Sequence, residues 1–200
     1  MRSQWKLAGG CLLACGLVWA QPPACVNGTL GDYVALGAQG CSLNGSVFAN
    51  FAYTGSASGG AATITADQIA VTPQVVVPAT ARLNFAAPWT VDKGQTQNSS
   101  IRYTIVPPAG ATQPQLQLAL GWTQVGGIIG RVTADETTNV GDLLVFTKCT
   151  EVCQNSSVDS FNFDAVSVVL ARHHVTVSGG DGGASLSDFT TMLNRCPLCV

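Results

Sequence analysis

The two histidines of the chain, His173 and His174, are adjacent, and they are the first residues to weigh as metal ligands or catalytic bases. They lie in a stretch of alternating apolar residues that predicts a β-strand. Neighbouring strand residues point to opposite faces of a sheet, so both imidazoles could bind one metal ion only across a bulge. The alternation slips between Leu170 and Val175, which predicts a bulge or a break there. We expect ordinary strand residues here, and no metal ion.

Two cysteines near the end of the sequence, Cys196 and Cys199, have the spacing of a redox dithiol. Such dithiols work at a helix N-terminus, which lowers the thiol pKa, whereas this pair follows a predicted β-hairpin. We expect residues 196–200 to form a tail whose cysteines bond to each other or to another chain.

Carboxylates could bind calcium at two places. One is formed by Asp135 and Glu136 with Asp142, and the other is Asp181 within a run of glycines. Neither matches an EF-hand loop or a calcium-binding nonapeptide repeat. We therefore expect solvated turn acids and no cofactor, with calcium as the lesser alternative.

Recognised catalytic motifs are missing, since the sequence contains no G-x-S-x-G, H-E-x-x-H, P-loop or G-x-G-x-x-G pattern. A glycan hydrolase would need two carboxylates about 5–10 Å apart, and Asp159 and Asp164 are a pair that only the fold could bring together. Aromatic rings can instead bind sugars by stacking, and Trp89, Tyr103 and Trp122 would form a stacking platform if they faced outward. We predict a protein without enzymatic activity, and a carbohydrate-binding module is the alternative to a structural role.

Residues 1–20 have the pattern of a secretion signal peptide. Arg2 and Lys6 supply the positive start, the stretch that follows is apolar, and Ala20 places a small residue at the cleavage position. The apolar run is shorter than the ~18 residues of a membrane span. We expect cleavage after Ala20 and export to the periplasm, the medium or the surface. Lipidation at Cys15, within Leu-Leu-Ala-Cys, and an uncleaved anchor are the alternatives.

Charged residues make up only 10% of the 200-residue chain, against roughly 25% in typical soluble domains. Polarity comes instead from Thr, Ser, Gln, Asn and Gly, a mixture typical of exported β-proteins. Without Arg2 and Lys6, nine basic residues become seven against eleven acidic ones, a net charge of −4. The seven are scattered and form no basic patch, so we expect no nucleic-acid partner.

Six cysteines follow the predicted leader, and an even number predicts disulfides in an exported protein. Six cysteines allow 15 connectivities, and the sequence does not choose among them. The local spacing favours three short pairs, Cys25–Cys41, Cys149–Cys153 and Cys196–Cys199. The first pair flanks the one predicted helix and would hold that segment at both ends.

Short apolar runs separated by turn residues every 8–12 positions are typical of a β-sandwich or a jelly roll. We predict an all-β antiparallel sandwich of about ten strands over residues 21–195, with one short helix over Thr29–Leu36 capped by Thr29. The clearest strand is Gln115–Val125, in which leucines and Trp122 alternate with polar residues. Gly179–Gly183 is predicted to turn the chain into a closing hairpin whose last strand is Ala184–Phe189.

Four stretches follow one another in an order that resembles a group of exported bacterial proteins: CVNGTLGDYVALGAQGCSLNGSVFANFAYTG, ITADQIAVTP, APWTVDKGQTQNSSIRYTI and HHVTVSGGDGGASLSDF. Over residues 25–190 the chain is similar to proteins that usually end in a PEP-CTERM sorting signal, which is a Pro-Glu-Pro, a membrane helix and a basic tail. The printed sequence lacks that signal.

The PEP-CTERM group is uncharacterised, so the resemblance implies a bacterial, exported setting and no particular activity. From this setting and from the missing catalytic motifs, we expect a structural or adhesive role in the cell envelope or the extracellular matrix. Polysaccharide or envelope components are the expected partners.

Overall fold

The computed structural model of the chain describes residues 21–76, 80–108, 110 and 114–194. The predicted leader with Cys15 and the predicted tail with Cys196 and Cys199 lie outside these residues. The described part contains fourteen β-strands, one short α-helix and one 3₁₀ turn.

The elements follow one another along the chain with short connections. In order they are β1 (Gly28–Thr29), α1 (Leu30–Ala35), β2 (Cys41–Leu43), β3 (Ser46–Ser58), a 3₁₀ turn (Ala66–Gln68), β4 (Ala70–Val76), β5 (Thr80–Val91), β6 (Thr96–Val106), β7 (Gln115–Leu120), β8 (Thr123–Val125), β9 (Arg131–Thr138), β10 (Asp142–Cys149), β11 (Cys153–Ser156), β12 (Val158–Asn162), β13 (Val169–Ser178) and β14 (Ala184–Asn194).

The strands form two antiparallel sheets of seven strands each. Sheet 1 has the order β1-β4-β5-β14-β7-β12, and β8 pairs with β14 beyond the end of β7. Sheet 2 has the order β11-β10-β9-β13-β6-β3-β2. Consecutive strands repeatedly change sheet, as in a jelly roll. The predicted all-β antiparallel sandwich with one short N-terminal helix is confirmed.

The core lies between the sheets because alternate residues of the long strands point to the same face. In sheet 1, Leu83, Phe85, Leu116 and Leu118 are fully buried, and in sheet 2 Ile101 is too. The polar residues between them face outward. Each sheet therefore has one dry face and one wet face.

The strand that contains both histidines is continuous, and the predicted bulge or break is wrong. β13 pairs residue by residue with β6 and, from Ala171 onward, with β9. The apparent slip in the sequence arose because Leu170 faces outward and is 54% exposed, whereas His173 faces inward and is fully buried. Once His173 is counted among the inward residues, the alternation runs without interruption from Val169 to Val177.

The predicted closing hairpin is also wrong, because β13 and β14 belong to different sheets. β13 pairs with β6 and β9, whereas β14 pairs with β5, β7 and β8. The glycine-rich loop therefore carries the chain across the sandwich. The loop from β5 to β6 also passes from one sheet to the other, and the two loops are hydrogen-bonded together. Gly179 N donates to Gln95 O at 3.0 Å, and Gly94 N donates to Gly180 O at 2.8 Å.

The short helix α1 begins at the predicted N-cap. The Thr29 hydroxyl accepts from Asp32 N at 3.2 Å, and the Asp32 carboxylate accepts from Thr29 N at 2.7 Å, which together form a capping box. Leu30 and Tyr33 are buried, and the Tyr33 ring packs edge-on against Phe51 with 5.1 Å between centroids. The helix thus docks by one face on β3.

Two of the predicted disulfides lie within the described residues, and both are formed. Cys25 is bonded to Cys41, and Cys149 is bonded to Cys153. Disulfides form and persist in oxidising compartments, so the two bonds indicate an oxidising, exported environment.

The described residues contain no helix with the length and apolar character needed to cross a membrane.

Replacing Cys25 and Cys41 together by serine should lower the free energy of unfolding by about 3 kcal/mol, because the bond closes a loop of 16 residues. Replacing Cys149 and Cys153 is the matched control, since that bond closes a loop of only 4 residues and should contribute about 2 kcal/mol. Urea unfolding of both double variants at one pH measures the difference. A larger loss from the Cys149–Cys153 pair would contradict the expectation.

Candidate functional site

Two of the three aromatic residues considered as a stacking platform, Trp89 and Tyr103, are buried and therefore cannot form one. Trp89 faces inward from β5, and its Nε1 donates to the Ser99 hydroxyl at 3.0 Å. Tyr103 faces inward from β6 and stacks on Phe51 with 5.0 Å between ring centroids. Large rings at inward positions fill the interior between two sheets. Trp122 is 64% exposed, so it is the one residue of the three that is open to a ligand.

His173 belongs to a polar cluster in the core. Its Nε2 lies 2.7 Å from the Tyr103 hydroxyl and 3.7 Å from Oε1 of Glu136. The Thr191 hydroxyl donates to the two Glu136 oxygens at 3.2 and 3.4 Å. We call Tyr103, Glu136, His173 and Thr191 the buried cluster. It joins β6, β9 and β13 of sheet 2 to β14 of sheet 1.

The buried cluster is uncharged because it is desolvated. Burial raises the pKa of Glu136 to about 8 and lowers the pKa of His173 to about 3. Burial also raises the pKa of the Tyr103 hydroxyl well above its ordinary value. The rings of Phe85 and Phe189 lie against the imidazole, with centroids 5.9 and 5.2 Å away. Glu136 and His173 have no exposed surface, so no substrate contacts them and their role is structural.

The acids considered as calcium candidates do not converge, and the expectation that they are all solvated is wrong for Glu136, which is fully buried. Glu136 points into the core while Asp135 faces the outer surface of sheet 2, because successive strand residues alternate. Asp142 is exposed at the start of β10. Asp181 accepts hydrogen bonds from two backbone N–H groups of the β8–β9 loop and so organises that loop. Across residues 21–194 as described, no three His, Cys, Asp or Glu side chains form a group that could hold a metal ion.

The carboxylate pair considered for glycan hydrolysis is engaged separately. Asp159 accepts from the backbone N–H of Leu144 at 3.0 Å and from that of Ser160 at 2.9 Å. The bond from Leu144 ties β12 to β10 at the edge of the sandwich. Asp164 lies after β12, in an open depression that it shares with Asn162.

Trp122 is exposed because the chain leaves its strand at Gly121. The alternation of Gln115–Val125 would have placed the indole in the core beside the leucines, but β7 ends at Leu120 and β8 begins at Thr123. Trp122 N donates to the Ser187 hydroxyl at 3.0 Å, and Trp122 O accepts from Ser187 N at 3.0 Å. These bonds hold the backbone against β14 and leave the indole in solvent.

A carboxylate and an amide are linked through Ser187 to the backbone of Trp122. The Ser187 hydroxyl donates to Oδ2 of Asp188 at 2.6 Å, and Nδ2 of Asn84 donates to Oδ1 of Asp188 at 2.8 Å and to the Thr190 hydroxyl at 3.0 Å. The register of β5 and β14 shifts next to Asp188, where Ala87 and Pro88 of β5 lie opposite Ser187, so the β-bulge is in β5. The carboxylate lies directly over Gly121, where a Cβ would collide with it in its present position. We call the following residues the Trp122 surface: Asn84, Trp122, Ser187 and Asp188.

The outer face of sheet 1 continues the Trp122 surface as a polar strip with few charges. Along β5 and β14 it passes Arg82, which donates to Gln74 at 3.3 Å, and reaches Asn194, which donates to Gln115 at 2.8 Å. From Asp188 to Asn194 the strip is about 20 Å long, because a strand rises about 3.3 Å per residue. The strip is long enough for an extended polar ligand.

The sequence pointed to Trp122 but not to its neighbours. Asn84 and Asp188 are 104 positions apart, so no local spacing connects them, and only the pairing of β5 with β14 brings them together. The signal that could have been used is the glycine before Trp122, which ends an alternating strand and frees the next side chain from it.

The chain matches no protein-family description and no curated protein. Among solved structures, it is similar to a carbohydrate-binding module, TmCBM61, solved in complex with β-1,4-galactotriose. The TM-score is 0.32 at 11% identity, and the match covers 70% of this chain and 86% of the module. It is also similar to the enzymatically active domain of bacteriophage CBA120 tailspike protein 4, with a TM-score of 0.29 at 14% identity over 69% of this chain and 19% of that one. Similarity at this level carries no functional assignment.

The buried cluster should give the free energy of unfolding a plateau between about pH 4.5 and 6.5. The stability due to Glu136, whose folded pKa is raised from 4.5 to about 8, is present below pH 4.5 and is lost as the pH rises to 8. The stability due to His173, whose folded pKa is lowered from 6.5 to about 3, is present above pH 6.5 and is lost as the pH falls to 3. Between pH 4.5 and 6.5 the two slopes cancel. Below pH 4.5 only His173 titrates and above pH 6.5 only Glu136 does, and there the free energy of unfolding changes by about 1.4 kcal/mol per pH unit.

Urea unfolding across pH 3–9 tests this profile. Glu136→Gln should abolish the fall between pH 6.5 and 8, because the amide keeps the shape of the side chain and does not titrate. Asp135→Asn is the control on the adjacent, outward-facing acid and should leave that fall in place. A Glu136→Gln variant that still loses stability over pH 6.5–8 would contradict the assignment.

Proposed function

We propose that this protein is an exported, non-catalytic β-sandwich that binds carbohydrate at the Trp122 surface and serves an adhesive or structural role outside the cytoplasm. The observation that carries the proposal is the exposed indole of Trp122, whose backbone is bonded to Ser187, which in turn is bonded to the carboxylate of Asp188. The resemblance to exported bacterial proteins suggests the cell envelope or the extracellular matrix as the setting.

An exposed tryptophan is suited to sugars because the apolar C–H face of a pyranose can stack on the indole ring. The indole of Trp122 is 64% exposed, while the ring of Trp89 is fully buried. Two hydrogen bonds to Ser187 hold its backbone, so little backbone freedom is lost when a ligand binds. Preorganisation of this kind lowers the entropic cost of association.

The polar members of the Trp122 surface would orient the sugar. A carboxylate accepts hydrogen bonds from hydroxyl groups, and such charge-assisted bonds are stronger than neutral ones. Asp188 is held by Ser187 and Asn84 at 2.6 and 2.8 Å, and this fixes the direction in which its remaining lone pairs point. An apolar ring with a few convergent polar groups is the usual composition of a small-molecule site. The polar strip beyond it suits the remaining units of a polysaccharide.

Binding without hydrolysis is supported by the placement of the acids. Glycosidases of the common kinds act with two carboxylates about 5–10 Å apart on either side of the scissile bond. The Trp122 surface contains one, Asp188. Glu136 is enclosed in the core, and Asp159 accepts two backbone hydrogen bonds at the edge of the sandwich.

Replacing Trp122 by alanine should weaken glycan binding about thirtyfold, since truncating a central tryptophan at an interface costs about 2 kcal/mol. A glycan array with the wild-type protein first identifies a neutral oligosaccharide, and isothermal titration calorimetry then compares the variants. Trp122→Phe keeps an aromatic face and should recover part of the affinity. Leu144→Ala is the matched control, because Leu144 is 49% exposed on β10 of sheet 2 and belongs to neither candidate site.

Asp188→Asn tests the polar part of the same surface. The amide keeps the shape and loses the charge, so we expect binding to weaken about tenfold, the usual cost of one charge-assisted hydrogen bond. The proposal is overturned if no oligosaccharide on the array binds, or if a glycan that does bind is retained equally well by Trp122→Ala and Asp188→Asn.

A further inference from the structure

Two arginines lie directly opposite each other on the outer face of sheet 2. Arg102 of β6 pairs in register with Arg172 of β13, and both side chains are exposed. Like charges at directly opposed positions of an antiparallel pair are destabilising. The fold therefore keeps two positive charges side by side at an energetic cost.

Neither arginine of this pair is bonded to an acid among the described residues. The nearest acid in register on the same face is Asp135 of β9, which lies opposite His174, two positions along β13 from Arg172. Burial raises the pKa of Asp135, and the charges of His174 and Arg172 offset part of that rise. Arg172 instead donates through Nε to the Ser100 hydroxyl at 3.3 Å. Most of the donor groups of both guanidinium groups are left for a ligand.

A depression of about 290 Å³ lies over the two arginines. One wall is formed by a β-bulge in β3, where Asn50 has a left-handed backbone conformation with φ of 56°. Asn50 Nδ2 donates to the Thr104 hydroxyl at 3.2 Å, which in turn donates to Ala49 O at 3.1 Å. Asparagine tolerates this conformation better than most residues, and bulges of this kind often re-aim side chains next to binding sites.

We propose that Arg102 and Arg172 form an anion-binding site for the carboxylate or sulfate group of an acidic sugar. A guanidinium group presents a planar fork of donors that matches a carboxylate or a sulfate, and two opposed forks can hold one oxyanion from both sides. An anion in this place also removes the repulsion between the two arginines. Leu170, 54% exposed on the rim of the depression, offers an apolar surface to the sugar ring that carries the anion.

The anion-binding site is independent of the Trp122 surface. The arginines lie on the outer face of sheet 2, whereas Trp122 is held against β14 of sheet 1. A protein that binds glycan chains on both outer faces could link two chains, which suits an adhesive role.

Isothermal titration calorimetry of the full chain with three probes tests the proposal. A galacturonic acid oligomer supplies carboxylates, a sulfated galactose oligomer supplies sulfates, and a neutral galactose oligomer supplies neither. We expect saturable binding of at least one acidic probe, and which of the two binds more tightly identifies the anion. Arg102→Gln and Arg172→Gln should each weaken that binding at least tenfold, and Arg→Lys at either position should recover only part of it, because lysine keeps the charge and loses the fork.

Arg131→Gln is the matched control for net charge. Arg131 is an exposed arginine on the outer face of the same sheet, about 20 Å along β9 from the position that faces Arg172, at about 3.3 Å per residue. Its loss should change the affinity less than twofold. Thermal unfolding excludes misfolding as the cause, since removing one of two opposed like charges should leave the melting temperature of Arg102→Gln unchanged or higher.

Absence of saturable binding of both acidic probes would overturn the anion-binding site, as would equal weakening by Arg131→Gln and Arg102→Gln. Trp122→Ala should leave the affinity for the acidic probe unchanged. Failure of this site and failure of the Trp122 surface are therefore separate results.

Discussion

The crossing from β13 to β14 is the constraint on which the rest of the sandwich depends. Each of these strands lies inside its own sheet with partners on both sides, so the loop Gly179–Gly183 fixes how the two sheets stand relative to each other. A side chain has no room at its start, since a Cβ on Gly179 would collide with Asp92 O. Gly180 has a φ of 57°, which glycine adopts without strain. The neighbouring crossing from β5 to β6 is hydrogen-bonded to this loop, so the two crossings support each other.

Between the two central strands the core has to accommodate polar groups. His173 of β13 and Thr191 of β14 approach Glu136 from opposite sheets, and the cluster is tolerable in a dry interior because desolvation keeps it uncharged. A buried polar network specifies which groups must meet, so it favours one register of the two sheets over others. The same requirement makes the sandwich sensitive to pH on both the acidic and the alkaline side.

The outer faces of the two sheets differ in chemistry, and each follows from a departure from regular strand geometry. On sheet 1, the strand break at Gly121 leaves Trp122 exposed, and the bulge in β5 lies opposite Ser187, beside Asp188. On sheet 2, the bulge at Asn50 opens a depression beside Arg102 and Arg172. Regular strands would have given two evenly polar faces. The irregular positions therefore concentrate an aromatic ring, a carboxylate and two guanidinium groups at places where a sugar chain could bind.

Local features of the sequence were sufficient for the fold class, for the N-cap at Thr29 and for the pairing of Cys25 with Cys41, since each depends on residues that are close in the chain. Partners that are far apart in the chain were decided only by the tertiary structure. Whether Trp122 or Trp89 faces solvent depends on where a strand ends, because alternation continues through Gly121 in the sequence and stops there in the fold. Whether two successive strands form a hairpin or cross the sandwich depends on the pairing of the whole sheet. The composition of the loop between β13 and β14 therefore does not distinguish the two connections. The neighbours of Arg102 and Asp188 come from strands 70 and 104 positions away, and no spacing within one strand carries that information.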